Sequence, residues 1–364
     1  MPASRHPRHP RLPRFSRFSR HRYSPRRLIR RCLPALLALA GAAHAQSGLT
    51  LYGFVDAGLF KTGPGSEARL GTIQRSYVGL RGQEALGQGW AATFHLMTRF
   101  DAGNGSLEAS GATPFFQGES TVGLKSPYGD VRLGRALTPM WQYDWNYDNW
   151  SNFNRVASVA WYVFHPSYRS DPYRNGPAGE YSRLNNGVFY DSPTWGGLHF
   201  HAALGVERSA VPDAYGQVDQ ARPLAASLNY DAGPWSAMVA AERNAAADNT
   251  WFAGLAYLRG AFKLMASYSQ TRLGAASQRF LGEAGAHRSA ATLGADWRLG
   301  ATTLKVSAAR DFQGYGQAGA TDYVSAGFDY ALSRRTTLYG AAMTRHSRHA
   351  PSATLYGAGM SHSF

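Results

Sequence analysis

The sequence predicts an all-β fold, a transmembrane antiparallel β-barrel of sixteen strands. Three observations carry this. The chain ends T-L-Y-G-A-G-M-S-H-S-F; at period two, Tyr356, Ala358, Met360, His362 and Phe364 share one face, and Gly357, Gly359, Ser361 and Ser363 share the other. Connections between apolar-alternating segments are long and short in turn along the whole chain. No apolar run after Ala45 approaches the ~20 residues a membrane helix needs, so any crossing is by strands. The 40 glycines and the 13% aromatic content suit strands, turns and interfacial girdles.

The first element is a leader. Residues 1 to 31 hold eleven Arg and no acid, and the first acid is Asp56. Leu33 to Ala43 is a short apolar run, and Ala43-His44-Ala45 gives a small-x-small cleavage site. That order is a signal peptide, so the expected division is 1–45 leader and 46–364 barrel. The basic part is long, and either an extended leader or a downstream start fits it. Arg26-Arg27 invites a twin-arginine reading, which a barrel crossing the inner membrane unfolded disfavours. Without the eleven leader arginines, 38 bases become 27 against 23 acids, a net of +4, which argues little for nucleic-acid binding. Cys32 is the one cysteine and precedes the apolar run, so lipid attachment is not expected. The remainder has no thiol for disulfides, zinc-cysteine sites or a cysteine nucleophile.

Strand 1 is read over 49–60, strand 2 over 72–82, strand 3 over 89–101 and strand 4 over 115–125. Strand 5 starts at Asp130, and the longest connection follows over 137–184. Strands 6 (185–191) and 7 (198–206) flank Ser192 to Gly197. Later strands meet at Asp231 to Pro234, Arg259-Gly260, Arg298 to Ala301 and Leu332 to Arg335. Strand 16 is 353–364. Longer loops fall near 207–222, 244–249, 272–287, 312–320 and 347–352. Sixteen strands, eight long connections and seven short turns put both ends on the short-turn side.

The faces alternate. Leu198, Phe200, Ala202 and Leu204 oppose His199 and His201; Phe262, Leu264, Ala266 and Tyr268 oppose Lys263, Ser267 and Ser269. A soluble antiparallel sheet alternates too. Polar groups on the presumed inner face of many strands favour the membrane barrel. Sixteen strands are too many for side chains to fill the inside, so an aqueous channel remains.

Six stretches in order resemble the general trimeric porins of the Gram-negative porin superfamily, above all the β-proteobacterial type. They are L-T-L-Y-G-F-V-D-A-G (from Leu49), Y-V-G-L-R-G-Q-E-A-L-G-Q-G-W (from Tyr77), S-T-V-G-L-K-S-P-Y-G-D-V-R-L-G-R (from Ser120), N-N-G-V-F-Y-D-S-P-T-W-G-G (from Asn185), F-D-Y-A-L-S-R-R-T-T-L-Y (from Phe328) and the terminal strand. The resemblance implies a homotrimer, a third loop folded into each lumen, and passive diffusion of small hydrophilic solutes and ions across the outer membrane. It also implies outer-membrane lipid and the barrel-assembly machinery as partners, with Tyr356 and Phe364 in the assembly signal. The family often has Arg where Tyr77 stands, and another where Gly118 stands; Arg75 can substitute for the first.

The expected pore wall comprises Arg75, Tyr77, Arg81, Arg99, Arg132, Arg135 and Arg183, with Lys125 as a further lumen base. The expected loop side comprises Asp144, Asp148, Trp141 and Trp145 of W-Q-Y-D-W-N-Y-D-N-W. Opposed bases and acids at a constriction set a transverse field and an ion preference; solvated lumen charge without a role is the plain alternative. The tryptophans either pin the loop to the wall or form a stacking platform. Asp56, Asp296 and Asp329 are expected lumen acids that keep an anion preference weak. His199-x-His201 has no identifiable third metal ligand. No cofactor is expected, and no nucleophile with a base and an orienting group is found for an enzyme. The alternatives to a diffusion channel are a substrate-specific channel for a sugar or aromatic solute, and an outer-membrane enzyme or adhesin barrel.

Overall fold

The computed structural model describes residues 48–108, 114–164, 182–206, 221–275, 277–278, 287–313 and 319–364. The leader, its cleavage site at Ala43 and Ala45, and residues 165–181 of the longest connection lie outside the described residues.

The first half contains β1 (Gly48–Lys61), β2 (Arg69–Gly71), β3 (Ser76–Gly87), β4 (Trp90–Phe100), β5 (Glu119–Ser126), β6 (Gly129–Leu137), β7 (Arg183–Asp191) and β8 (Leu198–Gly205). The second half contains β9 (Leu224–Ala232), β10 (Trp235–Arg243), β11 (Asn249–Arg259), β12 (Phe262–Arg272), β13 (His287–Leu299), β14 (Thr302–Asp311), β15 (Thr321–Ala331), β16 (Thr336–Ser347) and β17 (Ala350–Ser363). The short β2 lies in the first long connection and pairs only onto β1. The other sixteen pair with their neighbours, all antiparallel, and β1 closes the sheet against β17.

Closure is in register from Phe54↔Ser363 to Lys61↔Tyr356. It extends through Phe364, whose N–H donates to Gly53 O and whose carbonyl accepts from Gly53 N, each at 3.1 Å. Among the described residues each of the sixteen barrel strands has a partner on both sides, so the crossing strands pair their backbone within the sheet rather than with lipid.

Alternation sorts the side chains. Leu51, Leu59, Val122, Leu133, Leu264, Leu293, Val306, Val324 and Met360 are exposed on the outer face. Aromatic pairs stand near the strand ends by the short turns, Trp235 with Tyr257 at 4.5 Å and Phe262 with Trp297 at 5.6 Å. Trp251 and Tyr268, at 5.2 Å, mark the opposite end. This is the belt pattern of a lipid-facing barrel. Short turns supply the reversals. Gln88 and Gly89 both have positive φ (51° and 79°), as a tight hairpin demands.

Three boundaries differ from the sequence reading. Strand 2 begins at Ser76 rather than 72, because the backbone of Ile73 and Gln74 is taken by the Asp56 carboxylate (2.7 and 2.8 Å). Strand 4 begins at Glu119 rather than 115, and the N–H of Gly118 donates to Met97 O at its edge. The loop expected over 347–352 is a turn at Arg348 and His349, since β17 starts at Ala350.

Candidate functional site

The connection after β6 turns into the barrel. Its ends are tied together by Thr138 N donating to Ser182 O (3.0 Å). Pro139 occupies the first turn of a short helix, α1 (Pro139–Tyr143), where a missing N–H costs nothing. The Thr138 hydroxyl donates across to Glu242 on β10 (2.5 Å). A 3₁₀ turn (Asp144–Tyr147) follows, and later a second helix, α2 (Val159–Val163), capped by Ser158 accepting from Trp161 N.

Asp148 folds this loop on itself. Its carboxylate accepts from Trp150 N (3.0 Å), Asn152 N (2.9 Å) and the Ser158 hydroxyl (2.9 Å). Burial raises its carboxyl above the usual range, with those hydrogen bonds pulling the other way. Asp144 is fully buried, and burial pushes its carboxyl well above the usual range; its contact with Asn152 and the nearby Arg75 charge oppose the shift. The sequence reading sets Asp144 or Asp148 across the narrowest point from Arg75, Arg81 or Arg132. Asp148 instead belongs to the loop's interior, while Asp144, though buried, borders the same cavity as Arg75.

The loop rests on the inner face of β10 to β15. Met140, Tyr147, Val156, Val159, Val163 and Phe164 form one apolar cluster with Met238, Phe252, Met265, Ala290 and Tyr323. Each large side chain so buried contributes about 1.5–3 kcal/mol. Polar anchors fix its position. Asn149 donates to Ala295 O (2.9 Å) and Asp296 (2.7 Å), and Lys263 donates to Asn146 O (2.9 Å). The inner wall thus combines an apolar patch with polar anchors where the loop covers it. Of the expected lumen acids, Asp56 is fully buried, accepting from Tyr339 (2.5 Å), Asp329 pairs with Lys305 (2.6 Å), and Asp296 holds Asn149.

The opposite wall carries a continuous polar belt. Asp231 on β9 meets His199 on β8 (2.9 Å), His199 meets His201 (2.7 Å), and His201 meets Asp191 on β7 (2.6 Å). Asp191 accepts from Arg132 on β6 (3.1 and 3.2 Å), Arg132 donates to Glu119 on β5 (2.9 Å), and Glu119 meets His95 on β4 (3.0 Å). His95 then meets the Tyr52 hydroxyl on β1, with Arg81 stacked on the Tyr52 ring at 5.2 Å. Arg81, Lys125 and Arg132 border a cavity of about 920 Å³ with Glu119, Asp130 and Gln142.

A second cluster stands closer to the long-loop side. Glu108 lies 3.2 Å from Arg99, 3.9 Å from Arg75 and 4.0 Å from Arg155. The Arg75 guanidinium stacks on Phe153 (5.4 Å) and Trp161 (4.8 Å). Arg75, Tyr77, Arg99, Arg183, Trp141, Asp144 and Trp145 border one cavity of about 230 Å³ between wall and loop. Arg135 is held elsewhere, by Gln117 O (2.9 Å) and Asn185. Sequence reasoning read His199 and His201 as a lumen pair but did not pick out Glu108, Glu119, Asp191 or His95 as site residues. The inward parity of their strands was the available signal for the last three; Glu108 is in a loop, where no period exists.

A family model for the Gram-negative porin matches residues 33–350. The chain belongs to the Gram-negative porin family. This porin is 35% identical over 250 residues to outer membrane porin protein 32 of Delftia acidovorans, covering 65% of the chain and 64% of that relative. It is 28% identical over 244 residues to an outer membrane porin protein of Bordetella pertussis, with 59% of each covered. The chain thus spans under two thirds of either relative's length. Among solved structures, the anion-selective porin from Comamonas acidovorans superposes with a TM-score of 0.70 at 25% identity, covering 88% of this porin and 100% of that chain. Family and barrel together make it a protein of the Gram-negative outer membrane.

Proposed function

We propose that this porin is a passive diffusion channel for small hydrophilic solutes and ions with a weak anion preference, and that it assembles as a homotrimer in outer-membrane lipid after delivery to the barrel-assembly machinery. The observation that carries the reading is the third loop. It lines one side of the lumen with its aromatic surface and leaves the arginine-bearing wall of β1 and β3 to β8 facing it. The constriction is read as Arg75, Tyr77, Arg99 and Arg183 on the wall against Trp141 and Trp145 on the loop, with Arg81 and Arg132 below. Asp144 and Asp148 serve the loop's packing. Tyr356 and Phe364, on the outer face of β17 and its end, form the assembly signal, and cleavage follows Ala45. Catalysis is not part of the reading. Similarity to the anion-selective porin from Comamonas acidovorans supports the sign of the preference. Planar-bilayer recording in a salt gradient tests it: ohmic current with a reversal potential on the anion side is expected, and strong cation selectivity overturns it.

A second reading is a substrate-specific channel. The grouping of Trp141, Trp145, Phe153 and three arginines around a 230 Å³ cavity favours an aromatic or sugar solute. Saturable block of the ion current by one such solute distinguishes it.

A further inference from the structure

We infer that Asp56 is a positioning residue for the pore's ion preference: it folds residues 72–75 into the lumen, sets Arg75 at the constriction, and ties the third loop to the β1–β17 seam. The inference rests on the channel reading above, in which Arg75 is a constriction base. It starts from a side chain on the lumen face of β1 that nevertheless has no exposed surface. Asp56 Oδ1 accepts from Ile73 N (2.7 Å) and Gln74 N (2.8 Å), and Oδ2 accepts from the Tyr339 hydroxyl on β16 (2.5 Å). The Asp56 carbonyl accepts from the Thr72 hydroxyl (3.0 Å). An acid so enclosed meets no solute. Its acceptor positions go to backbone N–H groups and a phenol, and Thr72, Ile73 and Gln74 are held against the wall.

The held segment is a junction. Ile73 is fully buried, and its side chain lies over Gly58 on β1 and Gly357 on β17, where a Cβ on either glycine would press on it. The Ile73 carbonyl accepts from Arg155 N of the third loop (3.1 Å). Thr72 N donates to Asp101 (3.2 Å), and the Thr72 hydroxyl accepts from Ala102 N (2.9 Å), both in the connection after β4. The connections after β2, β4 and β6 therefore meet here. Arg75 follows directly on Gln74, so the same contacts fix where its side chain starts. Its guanidinium lies over Phe153 (5.4 Å) and over Trp161 on α2 (4.8 Å), and it borders the cavity of about 230 Å³ between wall and loop.

A lumen acid and a positioning residue differ in sign. A lumen acid repels anions, so replacing it by any uncharged residue raises anion preference. A positioning residue acts through Arg75. Its loss frees the segment, and a base no longer held at the narrow point lowers anion preference. Asparagine separates the two roles. It keeps an oxygen for the Ile73 and Gln74 N–H groups and turns its amide to the Tyr339 oxygen, without a charge.

The test is the reversal potential of folded barrels in a potassium chloride gradient. Asp56→Ala is expected to lower the anion-to-cation permeability ratio by about twofold, and Asp56→Asn to stay near the wild type. In an Arg75→Gln background, Asp56→Ala is expected to have little further effect, a non-additivity that general loosening of the barrel would not produce. Thr72→Val removes a donor to Asp56 without touching the strands, and it carries the test if Asp56→Ala inserts poorly. It too is expected to lower the ratio, and only where Arg75 is present. A ratio raised by both Asp56→Ala and Asp56→Asn would make Asp56 a lumen acid and overturn the inference. A wild-type ratio in Asp56→Ala, or effects that add to those of Arg75→Gln, would overturn it as well, with the channel reading intact. An unchanged ratio in Arg75→Gln itself removes Arg75 from the constriction and the inference with it, and absence of current in the wild type overturns the channel reading.

Discussion

The ring of Tyr147 lies against the backbone of Gly254, in the space where any other residue of β11 would place its Cβ. Phe252 sits beside it, ring centres 6.0 Å apart, and Ser236 lies 3.5 Å from its hydroxyl. On β13, Gly294 admits Asn149 in the same way. The barrel wall thus contains two notches that seat the constricting loop, both on inward positions of long strands separated by β12.

Filling a notch should unseat the loop. Gly254→Val is expected to expel the Tyr147 ring, cost the loop a large aromatic contact of about 1.5–3 kcal/mol, and raise single-channel conductance with added noise. The barrel itself should still form, because the strand's outer face and ladder are untouched. Unaltered conductance with a folded barrel would mean that the loop does not define the narrow part.

Asp144 should behave as an uncharged group. Its folded carboxyl is raised well above the ordinary value by burial, so its contribution to stability is full below about pH 4, the ordinary carboxylate range, and is lost as pH rises through the raised value. Asp144→Asn should leave ion preference at neutral pH almost unchanged and keep the loop seated at higher pH than in the wild type. Tryptophan fluorescence and current noise on an alkaline titration measure this. A clear shift toward anions at neutral pH would show that Asp144 is ionised and faces the pore.

Much of this was legible in the sequence, and the reasons separate cleanly. Period two marked the outer face of β17 from Tyr356 to Phe364, since lipid on one side and the lumen on the other impose opposite chemistries. The long third connection announced itself by length alone. The position of Asp148 was not legible, because a carboxylate that accepts from Trp150, Asn152 and Ser158 looks, in sequence, like one that faces an arginine. The apolar inner patch of Met238, Phe252 and Met265 was hidden for a related reason: it is inward-facing yet dry, covered by the loop rather than by water. The partners of Arg132 come from β5 and β7, and only register places Glu119 and Asp191 beside it.

Asp248 offers a sharper pH test outside the strands. It closes the turn between β10 and β11, accepting from Gly274 N (2.6 Å), Asn244 (2.9 Å) and Ser277 (2.8 Å). Burial nonetheless raises its carboxyl to about 6. Its stabilising contribution is complete below about pH 4 and is lost as pH rises through about 6, a difference on the order of 2–3 kcal/mol. The thermal midpoint of the folded barrel should fall over that window, and Asp248→Asn should flatten the fall. An identical pH profile in the variant would assign the transition to other groups.

Phe364 should matter for assembly far more than for conduction. Its backbone makes the last two hydrogen bonds of the β1–β17 seam, both to Gly53. Its ring covers Gly53 on the outer face, where a Cβ on that glycine would collide with it. Residues that line the pore are on the other face of both strands. Deleting Phe364 therefore removes about 1–3 kcal/mol of net hydrogen bonding and an exposed aromatic at the membrane boundary, all from the one seam that joins the first strand to the last. That seam has the greatest sequence separation in the barrel, so it gains least from local contacts during folding. The yield of folded, heat-resistant protein in outer-membrane fractions should drop several-fold, while the few barrels that insert should conduct and select as the wild type does. Gly53→Leu, which obstructs the same ring without shortening the chain, should reproduce the loss of yield. Wild-type yield from both variants would show that the seam closes without this contact.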